Sequence, residues 1–287
     1  MKITLSRPGS SPTHIFIKTV TQAGSSLGEH RPVSFILPGG PGADHMAYLN
    51  YTCLQTVSDL VFHDPRGCGQ SDKSIVSDYT MENYIDDVEA IRTHLGLKKI
   101  IVIGKSYGSM CALGYALKYP QAVDKLILAA GAPSYRFLET AKKNLQRQGS
   151  VEQINICKKL WSGSFANADE LTKFFQLMHP LYSYKARTGT QAFDANKKIL
   201  NFSYEVLNVG FKHAFWHFDY ENLLQKLFCP TLILAGLHDW INDIRHAEFM
   251  VARIPHSQLN VFEKASHAME VDVPTEFFQA IADFIQR

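Results

Sequence analysis

The chain contains 287 residues, 46% of them hydrophobic, and its 29 basic and 27 acidic residues leave a formal net charge of +2. This nearly balanced charge argues against a nucleic-acid-binding or membrane-surface role. We find no apolar segment typical of a secretory signal at the N-terminus and no apolar run that approaches the roughly 18 residues of a membrane span. The five cysteines form no C-x-x-C pair, so we expect free thiols, no zinc site and a cytoplasmic location.

The first half of the chain alternates strand and helix signals. A helix is predicted from Met81 to Leu95, because its apolar residues recur at steps of four, three and four along one face. Short apolar runs predict strands on both sides of it, at 15–17, 33–37, 60–64, 100–103 and 125–129. This repeated unit predicts an α/β fold with a mostly parallel central sheet covered by helices.

Ser106 lies at the centre of a G-x-S-x-G pattern, between the predicted strand 100–103 and a predicted helix over 110–118. In this strand–turn–helix context the pattern is typical of a nucleophile elbow. The small flanking residues allow a tight turn that lifts the serine hydroxyl clear of the sheet. We therefore predict that Ser106 is the nucleophile of a serine hydrolase.

An acid and a base follow in the order that such an elbow requires. Asp239 follows the predicted strand 231–236, and His267 follows the predicted strand 259–262. Both therefore lie past the carboxyl end of a strand, where sites form in open parallel sheets. We expect His267 to take the proton of Ser106 and Asp239 to hold the imidazole in one tautomer.

Two backbone N–H groups should bind the oxyanion of the tetrahedral intermediate, one from Tyr107 and one from Gly40 in the glycine-rich loop 37–42. His213 and His217 have the i, i+4 spacing of a metal pair, but the sequence shows no third ligand. We therefore predict neither a metal nor another cofactor. Lys105 is expected to be a solvated neighbour of the elbow.

The pattern changes between residues 134 and 228, where helical, aromatic and polar stretches replace the strand signals. Strand and helix signals resume at 231, and a last helix is predicted over 274–285. We therefore predict an α/β-hydrolase core at 1–133 and 229–287 and an inserted helical cap at 134–228. Some aromatic residues of this cap should roof the pocket above Ser106.

Several motifs together resemble the proline iminopeptidase family of α/β hydrolases, which includes the tricorn-interacting aminopeptidases. The chain has L-P-G-G-P-G at 37–42, D-P-R-G-C-G-Q-S at 64–71 and G-K-S-Y-G at 104–108. The acid and base loops, G-L-H-D at 236–239 and S-H at 266–267, are also similar to those of the family. The resemblance covers the hydrolase core, about two-thirds of the chain.

This resemblance implies a serine aminopeptidase that releases an N-terminal residue, often proline, from short peptides without a metal. Members of the family hold the substrate's α-ammonium with acidic residues, mostly from the cap. Glu205 is the first candidate for that role, and Asp219 and Glu221 are weaker ones. The glycine-rich loop, with Gly39, is expected to contribute to substrate binding.

Two alternatives remain open at this stage. One is an esterase or carbon–carbon bond hydrolase that acts on a small molecule, and the other is a ligand-binding homologue without turnover. The cap separates the first alternative from the peptidase: an exopeptidase needs acidic groups above Ser106, whereas an esterase is compatible with an apolar roof. In each case the expected partner is a small peptide or small molecule, and neither nucleic acid nor a membrane.

Overall fold

A computed structural model describes residues 1–5, 12–190 and 202–287 of the chain. In these residues eight strands form one sheet: β1 (Lys2–Leu5), β2 (Thr13–Val20), β3 (Val33–Leu37), β4 (Asp59–His63), β5 (Ile100–Lys105), β6 (Val123–Ala129), β7 (Thr231–Gly236) and β8 (Ser257–Phe262). Their order is β1-β2-β4-β3-β5-β6-β7-β8. The β1–β2 and β2–β4 pairs are antiparallel and the other five are parallel. This topology confirms the predicted α/β fold with a mostly parallel sheet.

Ten α-helices accompany the sheet in the described part of the chain. They are α1 (Met81–His94), α2 (Tyr107–Lys118), α3 (Phe137–Gln148), α4 (Val151–Ser162), α5 (Ala168–Tyr182), α6 (Tyr184–Arg187), α7 (Tyr204–Lys212), α8 (Ile244–Val251), α9 (Met269–Asp272) and α10 (Pro274–Gln286). Short 3₁₀ helices lie at Val76–Asp78, Pro120–Ala122, Ala214–Trp216 and Glu221–Lys226, and a longer one lies at His45–Thr56. No helix in the ranges described above is long and apolar enough to cross a membrane.

The central strands are mostly apolar because helices cover both faces of the sheet. All five residues of β3 and all six of β5 are buried. Neighbouring residues point to opposite faces, so Phe35 packs in the cluster with α1 and α2, whereas Ile36 packs in the cluster with α10. Helices therefore pack on both faces of the sheet, and this packing holds in place the loops at the carboxyl ends of its strands.

The helix at His45–Thr56 is an element that the sequence analysis did not predict. Asp44 caps its start by accepting a hydrogen bond from the Met46 N–H at 3.0 Å. The buried residues Tyr48, Tyr51 and Leu54 recur every three positions, which is the period of a 3₁₀ helix. A search for the 3.6-residue period therefore misses it.

Helices α3 to α7 all lie between β6 and β7, inside the range predicted as a cap. The described residues of that range, 134–190 and 202–228, contain no β-strand. Aromatic side chains join this segment to the hydrolase core, for example Trp161 of α4, whose ring lies 6.1 Å from the ring of Trp240. The division into core and cap domains at residues 133 and 229 stays a prediction.

Candidate active site

Ser106 lies in a sharp turn between β5 and α2, with φ 56° and ψ −119°. A non-glycine residue rarely adopts this positive φ, and such strain concentrates at functional sites. The turn closes only because its neighbours are glycines. A Cβ atom at Gly104 would lie 2.3 Å from the Gly108 carbonyl oxygen, and one at Gly108 would lie 2.0 Å from the Leu37 oxygen.

The loops after β7 and β8 bring Asp239 and His267 together. The His267 Nδ1 lies 2.7 Å from the Asp239 Oδ2, and both side chains are buried. The other oxygen, Oδ1, accepts hydrogen bonds from the N–H groups of Ile241 and Asn242 at 2.9 and 3.0 Å. An ionised carboxylate only accepts hydrogen bonds, so Nδ1 carries the imidazole proton and Nε2 keeps its lone pair. This is the tautomer that a general base needs.

The glycine-rich loop lies directly against the elbow. The Gly39 N–H donates to the Tyr48 hydroxyl at 2.8 Å, and burial raises the pKa of Tyr48, which keeps this hydroxyl protonated. Gly39 therefore does not present its N–H to a substrate. The Gly40 N–H donates no hydrogen bond within the described ranges. Tyr107 is the first residue of α2, so no preceding helical turn supplies a carbonyl acceptor for its N–H.

A cavity of about 470 Å³ lies at this site, and Gly40, Ser106 and His267 line it. Buried and half-buried apolar side chains of α4, α5 and α7 form one part of its lining. Its open end lies between the 3₁₀ helix His45–Thr56 and α9, where Met46, Asn50 and Val271 are exposed. The apolar lining includes Leu160, Phe174, Phe175, Tyr182, Phe202, Leu207, Phe211 and Ile241.

Two charged side chains that the sequence analysis did not place in the site line the same cavity. Lys105 was expected to be solvated, but it is only 4% exposed. Its ammonium donates to the His267 carbonyl oxygen at 2.7 Å and lies 3.6 Å from the Glu270 Oε2. The Lys105 prediction was wrong because the compensating carboxylate comes from a distant part of the chain.

The predicted acidic residues of the cap do not line this cavity. The Glu205 carboxylate lies 2.9 Å from the Lys73 ammonium, and this pair is exposed to solvent. Glu205 lies off the buried face of α7, which instead carries Val206, Leu207, Gly210 and Phe211. Asp219 and Glu221 both pair with Arg136. The structure therefore brings Ser106, Asp239, His267 and Gly40 together, but it does not bring Glu205 to them.

Tyr182 is a further neighbour of His267. Its ring meets the His267 ring edge-on at 5.4 Å, and burial raises its pKa, so it contacts the imidazole as an uncharged ring. The Ala268 N–H donates to the Tyr182 carbonyl at 2.8 Å. In the sequence, the only signal for this contact is that Tyr182 is one of the aromatic residues of the predicted cap.

Comparison with known proteins first identifies the class. A family model of the alpha/beta hydrolase fold matches residues 35–271, and this range contains the elbow and the loops of Asp239 and His267. The chain therefore belongs to the α/β-hydrolase family.

Individual relatives narrow this assignment to the proline iminopeptidase family, as the sequence motifs predicted. A proline iminopeptidase of Pestalotiopsis fici is 30% identical over 85% of this chain and 88% of its own length. The proline iminopeptidase of Saccharolobus solfataricus is 28% identical, over 88% of this chain and 84% of its own.

Solved structures agree on the fold. A proline iminopeptidase of Mycobacterium smegmatis has a TM-score of 0.76 at 21% identity, with 100% of this chain and 98% of its own covered. An esterase of Exiguobacterium antarcticum has a TM-score of 0.72 at 20% identity, with 96% of each chain covered. Likeness at these identities concerns the fold alone and does not separate a peptidase from an esterase.

Proposed function

We propose that the protein is a serine hydrolase that works through an acyl-enzyme on Ser106. The observation that supports this most is the 2.7 Å contact between His267 Nδ1 and Asp239, with Ser106 on a strained turn of the same cavity. His267 takes the hydroxyl proton as the Ser106 oxygen attacks the substrate carbonyl carbon. The N–H groups of Gly40 and Tyr107 stabilise the resulting oxyanion.

Collapse of this intermediate completes the first half of the reaction. The bond from the carbonyl carbon to the leaving nitrogen breaks, and His267 gives its proton to that nitrogen. Water then attacks the ester on Ser106, again with His267 as base, and the acid product leaves with the serine restored. No step requires a further reactant.

For the substrate, we propose a short peptide with N-terminal proline, which makes the protein a prolyl aminopeptidase. The curated relatives named proline iminopeptidase support this assignment. The apolar lining of the cavity from α4, α5 and α7 also suits it, because aromatic and aliphatic side chains surround an apolar ring such as pyrrolidine well. The open end leaves room for the rest of the peptide.

An esterase with an apolar acyl group is the second candidate, and the cavity itself favours it. In the described residues of the predicted cap, no acidic side chain lines the cavity. The carboxylate that does line it, Glu270, lies 3.6 Å from the Lys105 ammonium, whose charge opposes its own. A substrate ammonium would therefore find weaker attraction here than beside an unpaired carboxylate.

Three substrates separate these candidates: prolyl-aminomethylcoumarin, its N-acetylated form and p-nitrophenyl acetate. Ser106→Ala is the test variant, and Ser162→Ala, on the exposed face of α4, is the matched control. We expect the wild type and the control to cleave the free prolyl amide, and Ser106→Ala to lose at least about a thousandfold in rate.

The pattern of turnover decides between the two functions. Cleavage of the free prolyl amide in preference to the acetylated one supports the aminopeptidase. Turnover of the acetate ester alone supports the esterase. A wild type that shows no Ser106-dependent turnover and does not react with a fluorophosphonate contradicts the serine mechanism itself.

A further inference from the structure

The residue directly before the proposed nucleophile is tied to the proposed base. Lys105 is the last residue of β5, and its ammonium donates to the carbonyl oxygen of His267 at 2.7 Å, across 162 residues of sequence. Asp239 holds the imidazole ring at Nδ1. His267 is thus held twice, through its ring by Asp239 and through its backbone by Lys105.

Burial of this ammonium requires a compensating charge. Lys105 is 4% exposed, and an unpaired charge at such a position is strongly destabilising. Glu270, three residues after His267, provides the opposite charge 3.6 Å away. Its Oε2 accepts no hydrogen bond within the described part of the chain, so the carboxylate interacts with Lys105 as a counter-ion and leaves the hydrogen bond to His267 intact.

We propose that Lys105 is a positioning residue for His267, and that Glu270 is the counter-ion that compensates its buried charge inside the cavity. This inference rests on the proposed serine mechanism, since it concerns the geometry of the base relative to Ser106. The charge-assisted hydrogen bond joins the elbow to the His267 loop. Misplacement of a catalytic group by about 1 Å is enough to cost roughly a hundredfold in rate.

The surroundings of His267 determine what charge changes should do. Asp239 contacts its ring from the loop after β7, the uncharged Tyr182 ring meets it from α5, and the Lys105 ammonium reaches its carbonyl from the end of β5. Glu270, in α9, faces the Lys105 ammonium. Removal of the positive charge of Lys105 favours the protonated imidazole, and removal of the negative charge of Glu270 opposes it. The two neutral variants should therefore shift the pH profile in opposite directions.

The experiment compares Lys105→Met, Glu270→Gln and the double variant with wild type, on p-nitrophenyl acetate and by the rate of fluorophosphonate labelling. Lys99→Met, exposed just before the opposite end of β5, is the matched control. We expect Lys105→Met to lower kcat by about 10- to 100-fold, with KM within about threefold. The control should match wild type.

The pH profile of kcat/KM distinguishes positioning from a purely structural ion pair. Lys105→Met should move the acidic limb of this profile, where kcat/KM falls as the pH drops, to higher pH. Glu270→Gln should move it to lower pH, and each shift should be roughly half to one pH unit. The double variant should return the limb close to wild type without restoring kcat, because the hydrogen bond to His267 is still missing.

Several results would overturn the inference. One is an unchanged kcat for Lys105→Met, and another is a limb that does not move while only the thermal midpoint falls. If Lys105→Met does not fold, the isosteric Glu270→Gln decides, and an unmoved limb in that variant contradicts the proposal. Normal labelling of Lys105→Met overturns this inference alone, whereas a wild type that is not labelled overturns the serine mechanism and the inference with it.

Discussion

At the scale of single residues, the proposed site depends on positions that have no room for a side chain. A Cβ atom at Gly39 would lie 2.7 Å from the Lys105 carbonyl oxygen, 2.9 Å from the Tyr48 hydroxyl and 3.1 Å from the Ser106 Cβ. The backbone of the glycine-rich loop therefore lies directly against Ser106, the proposed nucleophile. This contact sets the distance between the loop's N–H groups and the serine.

Gly39→Ala should lower kcat because the added methyl group pushes the loop away from Ser106. Loss of an oxyanion donor typically costs about 10²–10³ in rate, so we expect a decrease of about a hundredfold with a small change in KM. Steady-state kinetics on p-nitrophenyl acetate would measure it. Gly24→Ala is the control for backbone strain without a contact, since the space around Gly24 is open but its φ is +81°; equal kcat in both variants would show that the contact has no catalytic role.

At the scale of elements, Asp272 at the end of α9 joins the predicted cap to the His267 loop. Its carboxylate accepts hydrogen bonds from the Ser183 hydroxyl at 2.6 Å, the Tyr184 N–H at 2.8 Å and the Lys185 N–H at 3.1 Å. It also accepts from the N–H of Ser266 at 2.9 Å. One buried side chain therefore fixes the start of α6 against Ser266, the residue that precedes the proposed base His267.

Asp272→Asn should weaken this junction, because it replaces one carboxylate oxygen, which accepts hydrogen bonds, with an amide nitrogen, which cannot accept them. Two of the four donors lose their acceptor in either amide orientation, at about 1–3 kcal/mol for each buried group. We expect the thermal midpoint to fall by about 5–10 °C and kcat to fall with it. Differential scanning calorimetry tests this against Asp283→Asn, an exposed control on α10; equal midpoints would refute the role of the junction.

The same elements show how far the sequence alone leads. The elbow, the sheet and the Asp239 and His267 loops were predictable, because local apolar runs and glycines encode strands, turns and the edge where the loops meet. The environments of Lys105 and Glu205 were not. Lys105 is buried opposite Glu270, which lies 165 residues further along the chain, so no local pattern reports the pair.

At the scale of the whole molecule, the sheet carries a buried histidine that is not part of the proposed site. His63, the last residue of β4, is 1% exposed, and its ring meets the Tyr84 ring edge-on at 5.4 Å. Its Nδ1 has no hydrogen-bond partner within the described ranges. Burial lowers the pKa of His63 from its ordinary 6.5 to about 4, although the nearby Asp64 opposes this shift.

The stability of the fold should therefore decrease in acid. Between pH 6.5 and pH 4 the unfolded chain binds a proton at His63 that the folded chain excludes, so the free energy of unfolding rises with pH in this window and falls as the pH drops through it. This one group should cost about 2–3 kcal/mol between pH 7 and pH 4.5. Urea unfolding at these two pH values would show the loss. In His63→Phe, which keeps a ring but does not titrate, the loss should be smaller by that amount, whereas His30→Ala, at an exposed site, should match wild type. An equal loss in wild type and His63→Phe would mean that His63 is protonated in the folded protein and that the acid sensitivity arises elsewhere.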